Sequence, residues 1–240
     1  MKRLKKSLLR GLMFFIVLLI IAVLVFYFKF RNETKAMSPA ETGAINDTVF
    51  CIKDKFVNAY IFKAANSYLM VDAGINKRNF GKELQKIGIN PEQITTLFLT
   101  HTDGDHTGAI SLLKNPDIFM HKEEEQMING TTGKTKFYKT KWKYGPYHLL
   151  NDNDTLTIDG LRIKIIHTPG HTPGSACFEI GKNYLLTGDN LIVKDGAYTQ
   201  FVEMFNMNTS TQLESLKKLP DPGSFQYILT GHHGVIKNGD

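Results

Sequence analysis

Cysteine is nearly absent from this chain, with only Cys51 and Cys177 among 240 residues. That count excludes a disulfide-built scaffold and a cysteine-rich metal knuckle. Spacing alone leaves a single Cys51–Cys177 bridge open. There is no internal repeat and no low-complexity tract. The body also lacks net charge. The whole chain carries 29 Lys+Arg against 23 Asp+Glu, a formal +6, but eight of the basic groups and only one acid lie in residues 1–35. Residues 36–240 therefore hold 21 basic and 22 acidic groups, a net of −1. A nearly neutral body argues against nucleic acid as its partner. At 42% hydrophobic and 22% charged residues the composition is that of a globular protein, which excludes wholesale disorder. Some 200 residues suffice for one sizeable core, and hardly for two.

What the chain does have, at its start, is a long apolar run. Residues 11–28 (GLMFFIVLLIIAVLVFYF) contain no charge, and eighteen such residues are about the minimum for a helix to cross a bilayer. Five cations precede the run, while Lys29, Arg31 and Lys35 follow it, partly offset by Glu33. The positive-inside bias then keeps the N-terminus cytoplasmic and sends the body across the membrane. A cleaved signal peptide, and so a secreted protein, is the competing reading. Its apolar core would exceed the usual length, and the small-x-small site Ala36-Met37-Ser38 is followed by Pro39. The expected organisation is a basic tail and transmembrane anchor over 1–30, a polar linker over 31–46 and a single domain over 47–240.

Within that domain, β-rich runs fall at 48–52, 57–63, 67–72, 96–100, 117–120, 155–158, 161–166, 176–180, 184–187 and 226–230. Gly160 and Gly181-Lys182-Asn183 sit between neighbouring runs as hairpin turns. Helices are expected at 77–87, with Phe80, Leu84 and Ile87 on one stripe, and at 107–114, 122–128 and 209–219. For the last, Asn208 is the N-cap, and Leu213, Leu216 and Leu219 form the buried stripe. Strands, a helix-rich middle, more strands and a late helix describe a layered α/β arrangement.

The chemistry concentrates at strand ends. His101, Asp103, Asp105 and His106 fall within six residues directly after an apolar strand. Two carboxylates packed there without a cation would repel each other and carry a large desolvation cost. A divalent metal removes that objection, because imidazole and carboxylate are ligands that Zn²⁺, Fe²⁺ and Mn²⁺ accept. Three further strand ends add to the set: His167-Thr168-Pro169-Gly170-His171-Thr172-Pro173-Gly174, Thr187-Gly188-Asp189 and Thr230-Gly231-His232-His233. Four strand ends, each delivering His or Asp beside Gly, describe a site assembled along one edge of a sheet layer.

With Val71-Asp72-Ala73-Gly74 placed before them, these segments resemble, in order, the motifs of the metallo-β-lactamase-fold hydrolases. The likeness runs from about residue 48 to 234. It implies an αββα four-layer sandwich and a two-metal site, with zinc the favoured ion. His101 and His171 would hold the first metal, Asp105, His106 and His232 the second, and Asp189 would bridge both. His233 is the fallback if the register slips by one. Asp72 would orient the histidine-rich loop. The family's usual His-x-His-x-Asp-His reads His-x-Asp-x-Asp-His here, with Asp103 in place of an imidazole. If Asp103 binds, the core becomes more neutral and the harder oxygen ligand makes iron or manganese more credible relative to zinc. Alternatively Asp103 does not bind, leaving the second site alone occupied.

The activity implied is metal-assisted hydrolysis of a small-molecule ester, thioester, lactone, β-lactam or phosphodiester, with Asp105 orienting the nucleophile or moving a proton. One alternative is di-iron redox chemistry. That branch of the fold carries a carboxylate at the Asp103 position but also a flavin-binding domain, for which no room exists after Gly234. The other is a metal-binding or sensor module that has lost its chemistry. His121, His148 and His167 are surplus to the ligand count. Residues 135–147 (TKFYKTKWKYGPY) interleave lysines with aromatics, which suits a base-stacking surface, a lipid-facing patch, a lid or a solvated flap. Residues 201–207 are an apolar run that either walls the pocket or packs in the core.

Overall fold

In the computed structural model, residues 2–135, 139–140, 142–194 and 197–238 are described. Two units result, Met1–Met37 and Ser38–Asp240. The first is helix α1, Lys2–Ala36, of which Lys6–Ala36 is long and apolar enough to cross a membrane. Its apolar side chains from Leu8 to Phe30 are exposed. The helix runs on into the segment expected to be linker because no breaker occurs before Pro39, and residues 29–36 are mostly good helix formers. After it, residues 38–44 attach to the second unit. Ser38 N donates to His232 O, Ala40 N donates to Asn58 Oδ1, and β1 (Gly43–Ala44) pairs with β2 (Val49–Asp54).

The second unit holds two large sheets. In the first, β1, β2, β3 (Val57–Lys63), β4 (Tyr68–Val71), β5 (Ile94–Phe98), β6 (Asp117–His121) and β7 (Tyr147–Leu150) lie side by side in chain order. Pairing is antiparallel from β1 to β4 and parallel from β4 to β7. The second sheet contains β8 (Thr155–Ile158), β9 (Leu161–His167), β10 (Ala176–Ile180), β11 (Tyr184–Gly188), β14 (Tyr227–Thr230) and β15 (Val235–Lys237), in the order β15-β14-β11-β10-β9-β8. A separate ribbon pairs β12 (Leu191–Lys194) with β13 (Ala197–Gln200).

Side-chain alternation sorts the core into layers. Ala59, Ile61, Met70 and Leu97 face Phe80 and Leu84 of α2 (Lys77–Lys86). Tyr60, Phe62, Leu69, Val71 and Phe98 point the other way and meet Ile163, Ile165, Phe178, Leu186 and Leu229 of the second sheet. On that sheet's outer face, Ile166, Cys177, Leu185 and Ile228 pack with Phe225 and Leu219. The result is the αββα sandwich. Cys51 lies in the inter-sheet core and Cys177 on the outer face, so both are free, buried thiols.

The expected helix at 107–114 begins earlier, as α3 (Gly104–Thr107), followed by a 3-10 turn at Ile110–Leu112. Asp105 and His106 therefore ride on a helical turn rather than on an open loop. The helix expected at 122–128 is a 3-10 turn at Lys122–Glu124 leading into α4 (Glu125–Ile128). Asn208 does cap α5 (Thr209–Leu216), accepting from Thr211 N. The expected leucine stripe is only partly correct: Leu213 is exposed, Leu216 and Leu219 are half-buried, and the buried positions of α5 are Gln212 and Ser215. Hydrogen bonds decide that face: Gln212 Nε2 donates to Asp189 O and Ser215 Oγ donates to Pro169 O. Of the lysine–aromatic segment, Lys136, Phe137, Tyr138 and Lys141 lie outside the described residues.

Candidate metal centre

Every chemistry-bearing segment leaves a strand at the same edge. Parallel pairing of β4 with β5 sets Val71 against Phe98, so Asp72 emerges beside the segment 99–106. Parallel pairing of β11 with β14 sets Gly188 against Thr230, bringing Asp189 next to Gly231. That approach requires glycine, since a Cβ on Gly231 would lie 2.5 Å from Asp189 Oδ1.

The seven residues expected from the sequence converge. Asp103 Oδ2 lies 3.6 Å from His101 Nε2 and 3.0 Å from His171 Nε2. Asp105 Oδ2 lies 3.6 Å from His232 Nε2. Asp189 stands between these groups, its Oδ2 3.3 Å from His171 Nε2 and 3.9 Å from His101 Nε2, its Oδ1 3.3 Å from His106 Nε2 and 3.2 Å from His232 Nε2. Three overlapping groups are close enough to share an ion: His101/Asp103/His171, His101/His106/Asp189 and Asp105/His106/His232. His233 takes no part in them; its N donates to Thr230 Oγ1. His121 stacks on His167 and His148 pairs with Asp117, away from this cluster. Phe201, from the 201–207 run, is buried with its ring against His171 and His232.

Outer hydrogen bonds orient all four imidazoles the same way. Phe56 O, which can only accept, fixes a proton on His232 Nδ1 at 2.6 Å. Asp72 Oδ2 takes the His106 Nδ1 proton at 2.9 Å and the Thr100 hydroxyl proton at 2.8 Å. The Thr100 oxygen is then free to accept from His101 Nδ1 at 3.0 Å. For His171 the chain runs through amides. Gln212 Nε2 donates to Asp189 O and Asn206 Nδ2 donates to Gln212 Oε1, which leaves Asn206 Oδ1 to accept from His171 Nδ1 at 3.2 Å. Every Nε2 lone pair therefore faces the cluster, an arrangement that suits metal ligation. Asp72 holds its place at φ 60°, a backbone region that few non-glycine residues enter without strain.

The donor set fits a divalent cation. His101 Nε2, His106 Nε2 and Asp189 Oδ1 are buried with no hydrogen-bond partner among the described residues. Acceptors that face one another at such distances need a cation between them. The potential agrees. Burial opposes a charge on His106, yet Asp189, Asp72 and Asp105 raise its proton affinity well above that of an ordinary imidazole. Burial likewise opposes ionisation of Asp189, but His232, His106 and His171 outweigh it and hold the carboxyl well below the usual range. For His171 burial acts in concert with Lys134 and pushes the imidazole down to about 4.

Two participants carry no motif in the sequence. Glu124, fully buried before α4, accepts four hydrogen bonds: Thr102 N and Oγ1 on one oxygen, Thr172 Oγ1 and Gly174 N on the other. It thereby fastens the His101–Asp103 segment to the His171 loop. Lys134 reaches into the cluster, its Nζ 2.8 Å from Asp103 Oδ2 and 3.0 Å from His171 Nε2. Only an acid among the helix-forming residues 122–128 and a lysine beside Gly133 marked these positions, and neither is distinctive.

Known proteins resemble this chain in sequence or in fold. The lactamase-like protein aptB of Emericella nidulans is 28% identical over 161 residues, 63% of this chain and 48% of that protein. An atrochrysone carboxyl ACP thioesterase of Aspergillus chevalieri is 27% identical over 158 residues, 62% of this chain and 47% of that protein. The chain thus spans about half the length of these curated relatives. A subclass B3 metallo-beta-lactamase characterised for its active-site glutamic acid superimposes with a TM-score of 0.64 at 15% identity, covering 88% of this chain and 86% of the other. The sequence model of the metallo-beta-lactamase superfamily matches residues 52–232, and the chain belongs to that superfamily.

Proposed function

We propose that this chain is a membrane-anchored, zinc-dependent hydrolase of a small molecule, its metal centre drawn from His101, Asp103, Asp105, His106, His171, Asp189 and His232. The observation that carries this reading is the convergence of four imidazole Nε2 atoms and three carboxylates around buried acceptors that lack partners. That set has donors enough for two ions sharing Asp189. A bound dication supplies Lewis acidity, making water nucleophilic at neutral pH and drawing charge from the bond being broken. The protein's own groups supply the rest. Asp105 is the most open of the three carboxylates, with 24% of its side chain exposed against 16% for Asp103 and 5% for Asp189. It is the one placed to orient the nucleophile and to carry a proton to the leaving group. Phe201 and Phe56 shield His171 and His232 from solvent.

The relative named as an acyl-carrier thioesterase puts thioesters first among the substrates to try, ahead of esters, lactones, β-lactams and phosphodiesters. A solved structure of this fold is named for an active-site glutamic acid, so a further carboxylate in the active site has a precedent in the fold. The helix through residues 11–28 anchors the protein, with the N-terminus cytoplasmic and the Ser38–Asp240 unit outside. The test is the full-length protein in detergent, assayed on that substrate panel before and after chelation. Activity should vanish with chelator and return with zinc, and Asp105→Ala or His106→Ala should lower kcat/KM by more than about 100-fold. Turnover that survives chelation and both substitutions refutes the proposal.

A further inference from the structure

The first metal position already holds a cation of the protein's own. Lys134 Nζ meets four acceptors: Asp103 Oδ2 at 2.8 Å, Phe205 O at 2.8 Å, His171 Nε2 at 3.0 Å and His171 O at 3.2 Å. Its side chain is only 19% exposed, so this is a partly buried ammonium with a built cradle. An ammonium has three protons and accepts nothing, which makes it complementary to a carboxylate, an imidazole lone pair and backbone carbonyls together. Asp103 and His171 are two of the three members of the first group, His101/Asp103/His171. An ion entering there must take the lone pair and the carboxylate oxygen that Lys134 now uses. Asp105, His106 and His232, by contrast, make no contact with a lysine or arginine among the described residues.

Resting on the metal-centre reading above, we propose that Lys134 is a built-in cation occupying the first metal position, so that this chain loads one divalent ion, at Asp105, His106, Asp189 and His232. The departure at Asp103 then has a structural purpose. A neutral imidazole at that position would accept from an ammonium without balancing its charge, whereas the Asp103 carboxylate does both. Asp103 and Lys134 together replace a neutral ligand by a neutral pair, and the first position opens only when Lys134 withdraws.

The experiment is zinc titration of the stripped full-length protein in detergent, by equilibrium dialysis with elemental analysis. Wild type should take up one equivalent, with any second bound about 100-fold or more weaker, because two charge-assisted contacts must be broken to admit it. Lys134→Met should bind two equivalents, the second tightened by that factor. Lys134→Arg, which keeps the cation, should stay at one. Circular dichroism of each variant establishes that it is folded, and Lys134→Gln serves as the second neutral variant. Two tight equivalents in wild type, or a single equivalent in both neutral variants, overturns the role of Lys134 while leaving the metal centre standing. If Asp189→Asn binds as much zinc as wild type, the metal-centre reading fails and this inference goes with it.

Discussion

Replacing Glu124 by glutamine tests whether one buried carboxylate holds the two halves of the site together. Each oxygen of Glu124 accepts from one backbone N–H and one threonine hydroxyl: Thr102 N and Oγ1 at 2.7 Å, Thr172 Oγ1 at 2.7 Å and Gly174 N at 3.0 Å. A glutamine amide keeps one oxygen and turns the other into a donor. Whichever way the amide is oriented, a threonine hydroxyl can rotate to accept from it, but the backbone N–H of Thr102 or Gly174 cannot. One buried N–H is therefore stranded, at a cost of about 1–3 kcal/mol, and the hydrogen bonds that remain lose their charged acceptor, for a total of about 2–4 kcal/mol. In a domain of this size each kcal/mol lowers Tm by roughly 2–4 °C, so a fall of about 4–16 °C is expected. Burial pushes the Glu124 carboxyl upward while His101 and the two threonines oppose it. The assay is thermal unfolding of the metal-free full-length protein followed by near-UV circular dichroism. Zinc affinity should fall too, because Thr102 lies between His101 and Asp103 and Thr172 follows His171. A Glu124→Gln protein that melts within a degree of wild type and binds zinc as tightly refutes the reasoning.

Three other outcomes follow from the same geometry. Asp72→Asn must keep its oxygen toward Thr100 N, which turns an NH₂ toward His106 Nδ1 and drives the proton to Nε2. Zinc affinity should drop about 10–100-fold with little change in melting, and unchanged affinity would discredit the tautomer assignment. Gly231→Ala places a methyl 2.5 Å from Asp189 Oδ1, so a competition titration should show a similar loss, with the largest effect on the ion shared with His232. Away from the site, burial first and His167 second push His121 down to about 4 from 6.5. Its folded value is depressed, so between those pH values the unfolded chain takes up a proton that the folded one refuses. Stability is complete above about pH 6.5 and falls by about 2–4 kcal/mol as pH drops toward 4. His121→Phe keeps the stacked ring and should flatten urea midpoints across that window; an undiminished slope assigns the effect elsewhere.

How much of this was legible in the sequence depended on whether a residue's role is local. The buried strands announce themselves because β3 is a nearly continuous apolar run buried on both faces and β9 alternates with the pleat over residues 161–165, while backbone chirality marks the hairpin turns at Gly160 and Gly181. The strand-end histidines and acids stood out because their chemistry makes no sense packed together without a cation. Strand β7 escaped, since its edge position leaves His148 and Leu149 exposed and removes the alternation. The three-residue β15 and the β12–β13 ribbon are too short to carry a period. On α5 the apolar pattern misled, because the helix buries polar groups that position Asp189 and Pro169 rather than leucines. Glu124 and Lys134 owe their roles to partners 22 to 71 residues distant, and no local pattern encodes those contacts.

Lys134 also changes what Asp103 says about the metal. Read from the sequence, a carboxylate in place of an imidazole adds a hard oxygen ligand, removes positive charge from the core and brings iron or manganese into consideration. With the Asp103 oxygen engaged by an ammonium at 2.8 Å, that oxygen is spent on the lysine and its charge is already compensated. The donors that select the ion are then His106, His232, Asp105 and Asp189, two imidazoles and two carboxylates. Such a set is one that zinc accepts with water as a further ligand, and it lacks the oxygen-rich shell that manganese prefers. The charge count follows the same logic. Three carboxylates face one dication and one ammonium, a neutral centre before any nucleophile ionises. The same departure from the family pattern that brought iron or manganese into consideration is therefore, with Lys134 as its partner, equally in keeping with the single ion proposed above, zinc included, beside a positive charge.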